Sequence, residues 1–398
     1  MNYGTAGKKA SIAVKWYGQK ITREVIYMNT PEIDSITVKG FKSIASIEKL
    51  PLRSINIIIG PNGSGKSNFI GVFAFLHEIR EGHLNEYVRK SGGAEQLLHF
   101  GSKMTGEIQI CVSFRQGVNQ YELTLKPTVN DGLYPADERV YYWDKKYPMP
   151  YYESLSAREN GWEAGISDSN IRKTAIWVRT RLGKWRLYHV HDTSTSSPMR
   201  KTAQLNDNAF LRPDGTNLPA FLYLLQQKQP TSYSLIRRTI QRVAPFFDDF
   251  QLEPDPRNED VIRLAWKHKN SDQYFGASSL SDGTLRFIAL ATLFLQPEKF
   301  LPSIILVDEP ELGLHPAAIT MLASLVKQVS VKTQVILSTQ SPLLLDHFQP
   351  EDVLVADRVD GSTKFTPLDP TMLANWLEDY SLGQLWEKNE LGGRPGRE

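Results

Sequence analysis

The sequence predicts an α/β fold, a parallel sheet alternating with helices and interrupted by an inserted β-rich and helical subdomain. Three observations carry that expectation. The apolar, β-branched run Ile55–Ile59 is followed by a glycine-rich turn and then by Phe69, Val72, Phe73 and Leu76 at the spacing of one helix face. A second apolar run, residues 304–307, ends in two acids and leads to a helix from Pro316. Between them, from Glu107, the hydrophobic period changes to two, which marks antiparallel strands.

Taken in order, residues 1–30 read as an N-terminal extension, with Met28 an equally good start for the compact fold. Lys8 and Lys9 precede no apolar stretch of the secretory-signal kind. Residues 36–44 alternate as a strand, with a second short one near Ile47, and should form an edge of the sheet that contains residues 55–59. After the first helix, Ser91 to Gln96 marks a break. Ile108, Ile110, Val112 and Phe114, then Tyr121, Leu123 and Leu125, predict a hairpin turning near Gln116-Gly117. Residues 131–152 read as loop and short strand. Residues 218–227 and 234–243 read as helices, the second capped by Thr231 or Ser232. No heptad run occurs between 105 and 275, so a long coiled-coil arm is excluded. From Ser278, strands at 303–307 and 334–338 alternate with helices from Pro316 and Pro342. Beyond Glu351 come two short strands around Asp360-Gly361, a helix near 373–379 and a glycine-rich end. The chain divides accordingly into 1–30, a first part 31–104, an insert 105–274 and a second part 275–398.

Composition bounds the rest. Hydrophobic residues make up 41% and charged residues 23% of the 398, as in ordinary globular proteins. A net charge of +2 argues neither for nor against nucleic acid. Cys111 is the single cysteine, so neither a disulfide framework nor a cysteine-based metal site is available, and a reducing cytoplasm is the expected location. No apolar run is long enough to cross a bilayer.

The turn Gly60-Pro61-Asn62-Gly63-Ser64-Gly65-Lys66-Ser67-Asn68 has the G-x-x-x-x-G-K-[ST] pattern between a strand and a helix. Its glycines let successive N–H groups point inward at phosphate oxygens, and the helix adds its positive N-terminus. Lys66 would then reach the β- and γ-phosphates, and the Ser67 hydroxyl would ligate Mg²⁺. A nucleoside triphosphate is the implied ligand. At the end of the second apolar run, Asp308 would hold Mg²⁺ and Glu309 would polarise the attacking water. Ser281-Asp282-Gly283 opens a further helix with apolar Leu285, Ile288 and Leu293. It either offers N–H groups to an anion or simply caps the helix. The stretch from Arg172 to Lys201 is basic, with Trp177, Trp185 and Tyr188 interleaved. It would follow a nucleic-acid backbone or form a twisted strand pair with solvated charges.

Gly-Pro-Asn-Gly-Ser-Gly-Lys-Ser-Asn at 60–68, Leu-Ser-Asp-Gly-Thr at 280–284 and Val-Asp-Glu-Pro-Glu at 307–311 resemble the Walker A, signature and Walker B motifs of ABC-type ATPase heads. The resemblance is to the RecF, SMC and OLD-like branch and not to transporters, whose subunits lack a large β-rich insertion. Together with Ile-Thr-Val-Lys-Gly-Phe-Lys-Ser-Ile at 36–44, Gly-Gly-Ala-Glu-Gln-Leu-Leu-His at 92–99 and Ser-Thr-Gln-Ser-Pro at 338–342, the chain resembles stand-alone bacterial ATPases of the AAA/ABC-like group found near phage-defence genes.

The resemblance implies a P-loop NTPase with an ABC-head-like mixed sheet, using ATP and Mg²⁺ and hydrolysing ATP to ADP and phosphate. It implies a head-to-head dimer in which Ser281 and Gly283 of one subunit cover the γ-phosphate held by Gly63, Gly65 and Lys66 of the other. Asn62, Ser64, Ser67 and Asn68 complete the cradle, and Lys42 and Ser43 touch the nucleotide. His315, in the D-loop position Gly313-Leu314-His315-Pro316, is a seam contact or a helix cap. Relatives usually carry histidine where this chain has Gln340, and glutamine cannot exchange a proton near neutral pH. Glu309 is then the base, assisted by Lys66 and Gln340, and turnover should be slow, as in a timer or switch. Gln96 is the candidate for the Q-loop glutamine. The function implied is a switch ATPase controlling a separate, nuclease-like effector in anti-phage defence. The alternative is a RecF-like, DNA-binding ATPase of repair.

Overall fold

Every residue of Ile55–Ile59 is buried, so this strand must be covered on both faces, as a central parallel strand is. The computed structural model, which describes residues 31–157 and 161–393, supplies that cover. The expected extension 1–30 and the last five residues lie outside the described residues. Ile55–Ile59 pairs in parallel with Gln334–Thr339 and with Val353–Val359. Beyond Gln334–Thr339 follow Ile304–Asp308 and then Trp185–Tyr188, both parallel. Ser362–Pro367 closes the other edge, antiparallel to Val353–Val359. The result is a mixed six-stranded sheet with one antiparallel edge.

Successive side chains leave opposite faces of this sheet, and each face has its own core. Ile57, Ile59, Val307 and Leu337 pack with the helices Leu218–Lys228, Pro230–Val243, Asp282–Leu295 and Pro316–Val329. Ile58, Leu306 and Ile336 pack on the other side with the helix Lys66–Glu81. That helix is apolar on more than one side because it lies between two sheets. Phe73 meets Trp185 and Phe69 meets Phe365 of the central sheet, at ring separations of 5.6 and 4.8 Å. Phe75 stacks at 5.5 Å on Phe41 of a second sheet. The second sheet is antiparallel, in the order Ile44–Pro51, Ile33–Phe41, Ile108–Phe114, Asn119–Pro127, Leu133–Tyr142, Tyr151–Ser154. Two three-stranded sheets complete the fold. The longest helix among the described residues, Lys66–Glu81, has 16 residues, so the described residues form no long coiled coil. No described helix is long and apolar enough to cross a membrane.

Several expectations are corrected. The strand Ile33–Phe41 is not an edge of the sheet that carries the glycine turn; it pairs with Ile44–Pro51 and Ile108–Phe114 in the second sheet. The boundary at 104/105 therefore runs through one sheet, and Trp185–Tyr188 of the supposed insert joins the central one. Alternation shows that a strand has a buried face but does not show which neighbour it bonds. Residues 131–152 are not mostly loop, because Leu133–Tyr142 is a ten-residue strand. Its Pro135 lies opposite Leu125 where the register shifts, a position at which a missing N–H is tolerated. The stretch from Arg172 is a helix, Lys173–Leu182, followed by one strand, and not a strand pair. The helix Pro230–Val243 starts with proline in its first turn after Gln229, ahead of the expected Thr231 or Ser232 cap. The helix from Pro342 is a single turn, Pro342–Leu345, and that near 373–379 resolves into the turns Pro370–Leu373 and Trp376–Glu378.

Candidate functional site

The chain leaves Ile55–Ile59 at the carboxyl end of the central sheet and turns through the glycine loop into Lys66–Glu81. Gly65 stands immediately before the helix with φ 99°, a left-handed conformation. A Cβ there would collide with Thr363 Oγ1 and approach Ser43 Oγ at 2.7 Å. Asn62 and Gly63 lie exposed at the tip, whereas Ser64, Gly65 and Lys66 are buried. Ser64 Oγ is buried without a hydrogen-bond partner. The Lys66 ammonium folds back over its own loop, donating to Gly60 O (2.8 Å) and Pro61 O (2.9 Å). Burial lowers its pKa, and Glu309, Asp308 and Glu311 act in the opposite direction.

Two neighbouring strands end against this loop. Asp308 Oδ2 accepts from Ser67 Oγ at 2.9 Å, and its Oδ1 accepts from Ser338 Oγ, its register partner on Gln334–Thr339. Glu309 follows with φ 41°, a left-handed position that is costly for a non-glycine residue. Its N–H donates to Ser338 O (3.0 Å), and its carboxylate accepts from Gln340 Nε2. Ser67 with Asp308, and Gln340 with Glu309, are thus brought together from distant parts of the chain.

The Ser281 turn is built differently. Ser281 Oγ caps the helix Asp282–Leu295 by accepting from Thr284 N (3.2 Å), while its own side chain is exposed. A Cβ on Gly283 would run into Gly313 O, so the helix start lies against the turn that follows Glu311. Arg200 braces the turn from within, donating to Ala277 O, Leu280 O (3.2 Å) and Asp282 Oδ1 (2.8 Å). The buried Arg286, one turn along the helix, donates to Val190 O (3.0 Å) and His191 O (2.7 Å). His315 is a helix cap here: its Nδ1 accepts from Ala317 N at 3.2 Å.

Lys42 and Ser43 flank the loop on its other side. Ser43 Oγ accepts from Asn68 Nδ2 and from Thr363 Oγ1, both at 2.7 Å, and Thr363 Oγ1 lies 2.8 Å from Ser64 O. Lys42, whose pKa burial lowers, occupies a left-handed position (φ 49°). With Asn68, Gln96, His99 and Phe100, it and Ser43 line a cleft of about 650 Å³. Gln96 therefore belongs to this cleft. The segment running parallel to Ile304–Asp308 and ending beside it is Trp185–Tyr188, followed by His189 and His191. His191 Nδ1 is buried and unpartnered; burial lowers its pKa while the Asp308 and Glu309 carboxylates raise it.

The sequence assigned no place in this site to Thr363, Arg200, Glu311 or His191. Glu311 falls inside the 307–311 motif, and His191 and Arg200 fall inside the basic stretch. The basic stretch does not form one exposed stripe: Trp185 and Tyr188 are core residues. Arg181 pairs with Glu32 (3.1 Å), and Arg186 donates to Gly183 O (2.6 Å) and Trp185 O (2.8 Å).

Residues 55–346 match a family model described as "AAA domain, putative AbiEii toxin, Type IV TA system". Over 106 residues the chain is 33% identical to the chromosome partition protein Smc of Desulfitobacterium hafniense (strain Y51). It is 34% identical over 106 residues to that of Mycobacterium leprae (strain TN). Each alignment covers 26% of this chain and 8% of the relative, so the chain spans a small part of those proteins' length. An SmcHead bound to the C-winged helix domain of ScpA superposes with a TM-score of 0.56 at 15% identity, over 86% of this chain and 99% of that one. An Smc head domain with an extended coiled coil, bound to the C-terminal domain of ScpA derived from Pyrococcus furiosus, gives 0.52 at 15% identity, over 88% and 99%. At such identities the likeness is one of fold.

Proposed function

The chain belongs to this AAA-domain family and has the fold of an SMC-type ATPase head, and from that premise we propose that it binds and hydrolyses ATP as a two-state switch. The contact of Ser67 with Asp308 at 2.9 Å, across 241 positions, carries the proposal. A hydroxyl and a carboxylate are an oxygen-only donor set, which suits Mg²⁺. The glycine cradle and the unpartnered Ser64 Oγ suit phosphate oxygens. Bound there, Mg-ATP supplies the electrophilic phosphorus and the metal's neutralising charge. Lys66 exchanges the Gly60 and Pro61 carbonyls for phosphate oxygens. Glu309 orients the attacking water and takes its proton. Gln340 holds the Glu309 carboxylate without offering a titrating group, which keeps turnover slow. Lys42, Ser43 and Asn68 line the cleft that takes the nucleoside.

The exposed Ser281 supports a second copy closing over the nucleotide, with Gly283 beside it and His315 near the seam. The family description names a toxin of a toxin–antitoxin system; control of a separate, nuclease-like effector rests on the resemblance of the sequence alone. DNA binding across the closed dimer is the second possibility, and the Smc relatives favour it. Against it, Trp185 and Tyr188 of the basic stretch are buried, and Arg181 and Arg186 are committed to acceptors within the chain.

Nucleotide titration, phosphate release and sedimentation of the full chain test the proposal. Lys66→Ala should abolish ATP binding. Ser281→Arg should bind ATP as a monomer but neither dimerise nor hydrolyse. A wild type that does not bind ATP would overturn the site, and a fully active Ser281→Arg would remove the sandwich.

A further inference from the structure

Glu311 has no role in the chemistry above, yet it is among the most buried acids of the site, with 7% of its surface exposed. Its Oε1 accepts from the Thr339 hydroxyl at 2.6 Å and from the Gln340 N–H at 3.0 Å. Thr339 Oγ1 in turn accepts from Ser341 N at 3.0 Å. One carboxyl oxygen therefore gathers three consecutive residues where the chain leaves Gln334–Thr339. From this bend Gln340 sends its Nε2 to the Glu309 carboxylate. The other oxygen, Oε2, is buried without a partner. Burial raises the Glu311 pKa, and the Glu309 charge raises it further. Glu311 O accepts from Leu314 N (3.0 Å), at the turn on which Gly283 rests.

An acidic side chain that only filled space would be better replaced by an apolar one, since an unpaired buried oxygen is costly. This one is retained where a single oxygen can set the bend of a short polar loop. We propose that Glu311 is the positioning residue of the switch, holding the Thr339–Ser341 bend in the one geometry from which Gln340 orients Glu309. It acts through Gln340. The inference rests on the ATPase proposal above.

Steady-state hydrolysis and fluorescent-nucleotide binding are measured on the full chain for wild type, Glu311→Ala, Glu311→Gln, Gln340→Ala and the double variant Glu311→Ala/Gln340→Ala. Glu311→Ala should lower kcat by roughly ten- to a hundred-fold, the scale of a displaced catalytic group. KM and nucleotide affinity should change by less than about three-fold. Glu311→Gln keeps an acceptor oxygen and should recover to within about three-fold of wild type. The double variant should be no slower than Gln340→Ala, because both changes remove one interaction. Losses that multiply in the double variant, or a Glu311→Gln as slow as Glu311→Ala, would overturn the proposal. If Glu311→Ala does not fold by circular dichroism, Thr339→Val replaces it. That variant removes one donor to the same oxygen and should lower kcat by about three-fold, again masked by Gln340→Ala. A wild type that neither binds nor hydrolyses ATP would instead defeat the ATPase proposal.

Discussion

The two six-stranded sheets each bury a glutamate, and they treat it differently. In the antiparallel sheet Glu138, 3% exposed, uses both oxygens. Oε1 accepts from Tyr121 OH (2.8 Å) and Ile166 N (3.0 Å), and Oε2 accepts from Gly165 N (2.6 Å). In the turn beyond the central strand Ile304–Asp308, Glu311 takes the Thr339 hydroxyl and the Gln340 N–H on one oxygen and leaves the other bare. Asp308 and Glu309 beside it are held by side-chain hydroxyls and an amide, which can rotate away. Backbone donors cannot. In the closed core, two of the three donors to the buried Glu138 carboxylate are main-chain N–H groups. At the carboxyl ends of the parallel strands, the Asp308 and Glu309 carboxylates are held by side-chain partners that a ligand can displace.

If that division is right, substitutions in the two sheets should separate activity from stability. Glu309→Gln should lower kcat by about a hundred-fold or more, the usual worth of a general base. ATP binding should survive, the closed dimer should accumulate in sedimentation, and the thermal midpoint should stay within about 2 °C. Glu138→Leu should do the reverse. It leaves three buried donors unpaired, a cost of roughly 3 kcal/mol or more, seen as a lower urea midpoint with kcat per folded molecule unchanged. Loss of kcat without loss of stability in Glu138→Leu would erase the distinction. Thr363→Val keeps the volume but removes the hydroxyl between Ser43 and Ser64. It should weaken nucleotide binding by about 1 kcal/mol, roughly five-fold, with kcat at saturation little changed.

The smallest effect concerns pH. Burial raises the Glu138 pKa above its ordinary value of 4.5. The folded state then binds this proton more tightly than the unfolded one. Its contribution is complete below about pH 4.5 and is lost as pH rises through the folded value. Glu138→Gln cannot ionise, so its stability relative to wild type should improve by a few tenths of a kcal/mol or more between about pH 4 and pH 8 in urea titrations. A gap that widens against glutamine over that range would mean the carboxylate is stabilised as the anion.

Much of the site was legible beforehand, but unevenly. Lys66 and Ser67 open the helix that follows Ile55–Ile59, and Asp308 and Glu309 stand at the end of Ile304–Asp308, because each motif is a strand and the few residues that must follow it. Gln340 was noted for its departure from histidine, and it does sit on Glu309. Gln96, expected as the Q-loop glutamine, lies on the short helix Ala94–Leu97 in the cleft it shares with Lys42 and Ser43. Leu133–Tyr142 was missed because tyrosines, a proline and charges obscure an alternation that the bulge at Leu125 already disturbs.

By itself the sequence determined the glycine turn between strand and helix, the acids at the end of Ile304–Asp308, the parallel run of Ile304–Asp308 and Gln334–Thr339 and, among the described residues, the lack of a long coiled-coil arm. Each of these depends on particular side chains at short, regular spacings. Only the tertiary structure decided that Ile33–Phe41 joins Ile108–Phe114, that Thr363 closes on Ser43 and Ser64 from 320 and 299 positions away, and that Glu311 accepts from Thr339 and Gln340. Strand pairing is made by backbone groups that every residue but proline possesses. The choice of partner therefore leaves almost no mark on the sequence, and any contact that depends on that choice can be seen only once the sheets are assembled.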